Sequence, residues 1–512
     1  MGREKRMLVN TALLTGTSLC MRAIGMVFQV YLSNRLGPAG IGLFQLVMSV
    51  STLAATIAIS GIRFAATRLL SEELGKGNPG GLRPAVLRCC LYAGTFGAAV
   101  CVGLTAAAGF IGRRIIGEPD TILSLRLLAV SLPFLSLGSV FAGYFTAVSR
   151  VGKSAGVALA EQVIRIGVIL LALRLIPAQN LEYACAAVVF GNVTGECCSF
   201  LLLAVLYRFD VRRYRRRDAE TGGMTRRMLV IALPLAFSSY ARTALSTLQN
   251  LLVPKGLEKS GASAKQALAG YGMIGGMVFP VITFPSALFY ALAELMVPEL
   301  TAMQVSGRRE QIAHTVNRIL RSCLLFALGV SVCLFCFSHR LGMALYHSRE
   351  VGRYIRILSF LMPVMYLDSI TDGLLRGLGQ QMYCMYVNIA DSVLSVLLVW
   401  FALPRWGIGG YLFMICFTEV FNFSLSLYKL RRLTTVRMPP TLLFRALLCA
   451  AGSGAGAALL LGPVGIEAGA VFPLILSLSV CLGLYWVLLR ITGCLGTGRK
   501  ISLRPRAGND TI

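Results

Sequence analysis

Three arginines, Arg22, Arg63 and Arg242, lie inside apolar stretches with no acidic residue three or four positions away. A guanidinium at the centre of a bilayer helix is disfavoured by about 2.5 to 3.5 kcal/mol, so such a residue is expected to face a water-lined cavity and an anionic group. Its planar, permanently charged fork gives bidentate hydrogen bonds to phosphate or carboxylate oxygens. Two such forks meeting in one cleft suit a diphosphate, and Arg22 and Arg242 are the expected pair because they occupy corresponding places in an internal repeat. Arg63 joins them as a candidate, or lies close enough to the end of its helix to snorkel to the interface. The bland alternative is neutralisation by Glu196, Glu294, Asp391 or Glu419 on neighbouring segments.

The acidic residues within apolar runs admit a second chemistry. Glu161 and Arg165 are four apart and suit an intrahelical ion pair. Asp368, Asp372 and Arg376 form a similar ladder, but two carboxylates against one arginine leave an excess negative charge. Asp368 and Asp372, with Glu196, Asp391 and Glu419, are therefore the candidates for coupling to a monovalent cation or proton, with the membrane potential as the alternative driving force. No cofactor or metal is expected. The three histidines, His314, His339 and His347, fall in or beside loops, and no loop exceeds about twenty residues, leaving no room for a soluble catalytic domain. Cys333 and Cys336 form a CxxC, but inside an apolar helix with no second pair, where packing is the expected role. An enzyme is not expected.

The elements that position these groups follow from composition. The chain has 512 residues, 56% hydrophobic and 14% charged, with apolar runs of about twenty residues, each long enough to cross a ~30 Å hydrocarbon core. The expected fold class is an all-α polytopic membrane protein of about fourteen spans: 8–32, 41–67, 85–112, 122–148, 155–176, 183–207, 228–253, 270–298, 322–338, 355–378, 383–403, 409–428, 441–462 and 469–489. The basic start (Arg3, Lys5, Arg6) is not read as a signal peptide, since apolar character continues through Leu32 and Leu19 rather than a small residue precedes Cys20.

A net charge of +27 would suggest nucleic acid in a soluble protein, but its distribution decides otherwise. With the N-terminus inside, most of the 49 basic residues fall on inner segments, which places both termini in the cytoplasm. The basic segment 208–227 is read as a topology determinant on anionic headgroups, at about 1 kcal/mol per arginine. Beyond Tyr214 nothing aromatic interleaves it, so no nucleic-acid partner is expected.

Residues 131–145 (SLPFLSLGSVFAGYF) match 361–375 (LMPVMYLDSITDGLL), an offset that also aligns Pro133 with Pro363, Gly143 with Gly373 and Glu161 with Asp391. The first helices align at a smaller offset, bringing Arg22 onto Arg242 and Gln29 onto Gln249. Six spans per half is an even number, so the halves share one orientation, the parallel-repeat plan of many secondary transporters. The expected domains are 1–227 (first lobe and basic loop), 228–433 (second lobe), and 434–512 (two further helices and a basic tail), the last containing a GxxxG (Gly452, Gly456) that permits close helix contact.

Several segments carry a family resemblance: 21–46 (MRAIGMVFQVYLSNRLGPAGIGLFQL), 59–78, 142–166, 276–304 and 373–404. Together they resemble the stage V sporulation protein B-like polysaccharide flippases of the multidrug, oligosaccharidyl-lipid and polysaccharide exporter superfamily. The resemblance covers roughly residues 7 to 435. It implies two six-helix lobes in a V-shaped arrangement, alternating access, and export of a glycan on a polyprenyl-diphosphate carrier across the plasma membrane, with membrane lipids and cell-wall synthesis proteins as partners and a role in wall or spore formation. Arg22 matches the first-helix arginine that the related lipid II flippases use in a cationic cavity, and their last two helices shape a groove for the lipid tail. This chain lacks their adjacent arginine pair in the second helix, where Arg63 stands alone, so the implied substrate is the broader class of lipid-linked glycans. The competing readings are a cation-coupled multidrug antiporter of the same fold, which would rely on the acidic residues, and a scaffold protein, which would need none of the intramembrane charges.

Overall fold

The computed structural model describes residues 3–75, 79–175, 181–212, 223–436, 439–461 and 471–494. The basic stretch 213–222 and the C-terminal tail, on which part of the charge argument rests, lie outside the described residues, as does the side chain of Glu294. Sixteen α-helices occur among the described residues, and no strand. Among the described residues eleven helical segments are long and apolar enough to cross a membrane, or twelve if one bent pair counts as a span.

The expected count of about fourteen differs for an identifiable reason. Helix α1 (Arg3–Ile59) is 57 residues long, about 85 Å at 1.5 Å per residue and far beyond one bilayer crossing. It is broken at Gly37, whose φ of 72° is left-handed and which precedes Pro38. The same occurs in α14 (Gln381–Leu433), broken at Gly407 with φ 53° after Pro404. Each of these long helices covers two of the expected segments.

The chain forms two compact units. The larger comprises residues 1–312 and 364–434. In it α3 (Leu82–Phe110), α4 (Ile122–Ala147), α5 (Val151–Leu175), α6 (Leu181–Val211) and α7 (Met224–Lys259) pack with α1, and α2 (Ile62–Gly75) packs on α3, α4 and α7. One apolar core joins Leu69 and Leu70 of α2, Cys89 of α3, Tyr144 and Phe145 of α4, Leu203 of α6 and Met228 of α7. A second joins Leu32 and Ile41 of α1 to Ile169 of α5 and Val188 of α6. At the foot of α4 and α6 the buried Asp210 accepts from Tyr144 Oη at 3.1 Å and from Lys153 Nζ at 2.7 Å, and pairs with Arg150. Arg227 at the start of α7 pairs with Glu72 and, at 3.2 Å, with Glu73 of α2.

After α7 the chain continues through α8 (Ala264–Gly272), opened by a Ser263–Gln266 capping box, a π-helical turn at Met273–Val278, α9 (Phe279–Thr283) and α10 (Ala287–Val305). The expected eighth span, 270–298, is thus interrupted by the π-turn and by a break at 284–286. Such turns leave the backbone ladder locally unpaired and recur at functional sites. Here the Gly276 carbonyl accepts from Gln29 Nε2 at 3.1 Å and Ser33 Oγ at 3.4 Å of α1. Small residues make this approach feasible: a Cβ on Gly42 would lie 2.2 Å from the Leu268 carbonyl oxygen, and one on Gly272 would lie 2.2 Å from that of Pro38.

The smaller unit comprises 313–363 and 435–512, and so holds most of α11 (Arg309–Tyr346) with α12 (Arg349–Ser359), α15 (Pro440–Leu461) and α16 (Val471–Ile491). Tyr485 Oη donates to the Leu325 carbonyl at 2.9 Å, and Arg321 Nη2 to that of Cys494 at 2.5 Å. Gly452 and Gly456 turn toward Leu488 and Leu484 of α16, while Gly454 between them faces Cys336 of α11. The GxxxG therefore packs α15 on α16. Cys333 is buried in the same unit and Cys336 is exposed, both as free thiols.

Candidate functional site

The polar groups of the larger unit gather around three cavities. The first, of about 550 Å³, is lined by Gln45 and Ser49 of α1, Asn250 of α7, Tyr271 of α8, and Asp391 and Glu419 of α14. Asn250 Nδ2 donates to Ser49 Oγ at 3.1 Å, and Thr247 Oγ1 to the Ser49 carbonyl at 3.1 Å. Asp391 Oδ1 is buried with no hydrogen-bond partner among the described residues. A carboxylate oxygen held so is costly in an apolar lobe.

The second cavity, of about 470 Å³, holds Arg22 together with Gln29, Phe44, Thr283 and Phe284. Gln45, Gly275 and Phe279 line both cavities, so the two adjoin. The guanidinium of Arg22 stands 5.1 Å over the ring of Tyr290 on α10, an arrangement that helps hold a cation while, among the described residues, leaving its N–H donors free. Ser369 Oγ on α13 (Met362–Gly377) hydrogen-bonds Tyr290 Oη at 2.8 Å and fixes that ring. Among the described residues Arg22 has no acidic partner, and the same holds for Arg242.

The third cavity, of about 420 Å³, lies among α1, α2, α4, α5 and α6 and is lined by Arg63, Glu161 and Glu196. The three arginines are therefore not gathered in one place. Arg22 and Arg63 line different cavities, and Arg242 is exposed on α7, next to Thr243 of the first cavity but not itself among its lining residues. Of the acidic candidates, Asp391 and Glu419 share a cavity and Glu196 stands in another. Asp372 is pinned by Ser426 Oγ at 3.1 Å and approached by Arg376 at 3.9 Å, as the ladder anticipates, whereas Asp368 Oδ1 is buried with no hydrogen-bond partner among the described residues. Glu161 lies 4.0 Å from Arg165, the intrahelical pair.

Sequence reasoning passed over the neutral residues that shape these cavities: Gln45, Asn250, Tyr290 and the Gly275–Phe279 turn. Amides inside apolar runs were the available signal for the first two. Tyr290 had none, since aromatic residues are ordinary in spans.

A family profile described as polysaccharide biosynthesis protein matches residues 7–285. The chain belongs to this family. A second profile, MatE, matches residues 227–401. Stage V sporulation protein B of Bacillus subtilis (strain 168) is 21% identical over 412 residues, covering 79% of each chain. Sporulation protein YkvU of the same organism is 20% identical over 385 residues, 72% of this chain and 82% of that one. Among solved structures, lipid II flippase MurJ in an inward closed conformation aligns with a TM-score of 0.69 over 94% of this chain and 99% of its own, at 13% identity. An inward-facing multidrug resistance MATE family transporter of the MOP superfamily aligns with a TM-score of 0.64, 13% identical, over 83% of this chain and 98% of its own. The chain thus has the helical membrane-protein fold shared by these two transporters.

Proposed function

We propose that this protein moves a polyprenyl-diphosphate-linked glycan, a peptidoglycan or surface-polysaccharide precursor, from the inner to the outer leaflet of the plasma membrane by alternating access, with both termini cytoplasmic. The observation that carries the reading is Arg22: a guanidinium without a carboxylate partner, held over Tyr290 in a cavity of about 470 Å³. In this reading Arg22 takes the diphosphate and the glycan extends into the adjoining amide- and hydroxyl-lined cavity, while Arg242, exposed on α7 beside that cavity, supplies the second fork only as the helices move during the transport cycle. Asp391 and Glu419 in that cavity are the coupling site for a monovalent cation or proton, a role that puts positive charge where the structure offers two carboxylates. Arg63, in its own cavity, is not given a part in diphosphate binding.

A second reading, a cation-coupled multidrug antiporter, is favoured by the same Asp391–Glu419 pair and by the MatE match. Native mass spectrometry of the purified protein, offered polyprenyl-diphosphate glycans and cationic drugs in parallel, separates the two. Capture of the glycolipid, lost in the Arg22→Ala/Arg242→Ala double variant, is expected. Capture of cations alone, unaffected by those substitutions, moves the assignment to the antiporter.

A further inference from the structure

The third cavity holds opposite charges that do not neutralise one another. Arg63 of α2 and Glu196 of α6 line the same chamber of about 420 Å³, yet among the described residues Arg63 makes no ion pair. Glu196 presents a buried oxygen, Oε2, with no hydrogen-bond partner, and the third charged residue, Glu161, already has Arg165 at 4.0 Å. The buried Glu196 oxygen bears the desolvation cost of an unsatisfied polar atom, while Arg63 stands exposed on the same chamber with its charge unpaired. An inorganic cation would answer Glu196 and leave Arg63; a lone anion would do the reverse. A small dipolar ligand answers both.

The rest of the wall fits such a guest. The hydroxyls of Ser139 and Ser199 supply neutral hydrogen-bonding groups, and Phe134 and Phe200, with ring centroids 5.7 Å apart, form an apolar side. We propose that this cavity binds a small zwitterion, with its anionic group on Arg63 and its primary ammonium on Glu196. A phosphoethanolamine headgroup and the amino-carboxylate of a short peptide both carry that chemistry. The site is independent of diphosphate capture at Arg22, which native mass spectrometry reads separately.

The test is native mass spectrometry of the full chain in detergent with three probes: dioctanoyl phosphatidylethanolamine, its N-acetylated form, and dioctanoyl phosphatidylglycerol. The expected result is at least tenfold greater retention of the first over the other two, a preference abolished by Glu196→Gln, with retention of the first lowered by Arg63→Gln. Equal retention of the amine and its N-acetyl form, or a preference that survives Glu196→Gln, overturns the proposal. Should Arg63→Gln fail to give monodisperse protein, the near-isosteric Glu196→Gln decides alone. Thermal melting with glycerophosphoethanolamine and with alanyl-alanine identifies the source. A Tm raised by the first and dependent on Glu196 supports a bilayer lipid, and one raised by the second with the same dependence supports a peptide-bearing substrate. A Tm unmoved by both, with no amine preference by mass, refutes the site.

Discussion

Arg22 is worth more to a phosphate than its charge alone, because the Tyr290 ring orients it and leaves its N–H groups free. Hydrogen bonds to charged groups contribute about 1.5 to 3 kcal/mol each, so Arg22→Ala is expected to lower glycolipid affinity by about one to two orders of magnitude, and Arg22→Lys, without the fork, to restore only part of it. Titration by native mass spectrometry checks both. Asp210 carries a structural counterpart: its buried carboxylate collects Tyr144, Lys153 and Arg150. Since the two cations are partly solvated, Asp210→Asn is expected to cost about 2 kcal/mol, below the range for a fully enclosed pair, and to show as a lowered Tm in detergent without loss of glycolipid capture. Glu118, in the loop before α4, is the reverse case. Burial first, then the Asp120 and Glu258 carboxylates, push its carboxyl above the usual range. A raised acid is bound by its proton more tightly in the folded state, so the protein loses stability as pH rises through that raised value. Glu118→Gln should melt above wild type at about pH 8 and match it near pH 3, below the ordinary carboxylate range.

At the scale of elements, the sequence displayed what has a period or a price and concealed what depends on backbone geometry. Apolar runs and their breaks placed the spans, and an arginine in an apolar run singled out Arg22 because such a residue requires an explanation. The π-turn at Met273–Val278 had no such mark, since one extra residue per turn changes neither composition nor hydropathy. Nor did the sequence show that Arg22 and Arg63 line different chambers, which depends on how α1 and α2 pack. The approach of α1 to α8 gives the sharpest prediction of this kind. With a Cβ placed 2.2 Å from a carbonyl oxygen at Gly42 or Gly272, Gly42→Ala and Gly272→Ala must push the helices apart, at about 1 to 3 kcal/mol for overpacking. Each is expected to shift the resting population toward a form open on that side, with faster maleimide labelling of a cysteine introduced at Ser33; unchanged labelling would show that the contact persists in both states.

For the whole molecule, the two C-terminal helices read in the sequence as an addition to a twelve-helix repeat. In the structure α15 and α16 share a compact unit with residues 313–363, through Tyr485 on Leu325 and Arg321 on Cys494. Truncation after Thr434 would uncover the face of α11 at Leu325, Gly329, Val332 and Cys336, which packs on Tyr485 and Gly454 in the intact chain. The truncated protein is expected to aggregate on extraction rather than to transport weakly, which size-exclusion chromatography of the two forms compares directly.

The contact between α1 and α8 has one more implication. Where Gly42 and Gly272 meet Leu268 and Pro38, the touching atoms are main-chain carbonyls and α-carbons. A contact made of backbone offers no side chain with which to recognise a cargo, so in the proposed alternating-access cycle it would part in the same way for any of them. Choice among cargoes would then fall to the chambers, and altering what this protein carries should require changes at their walls while this contact stays as it is.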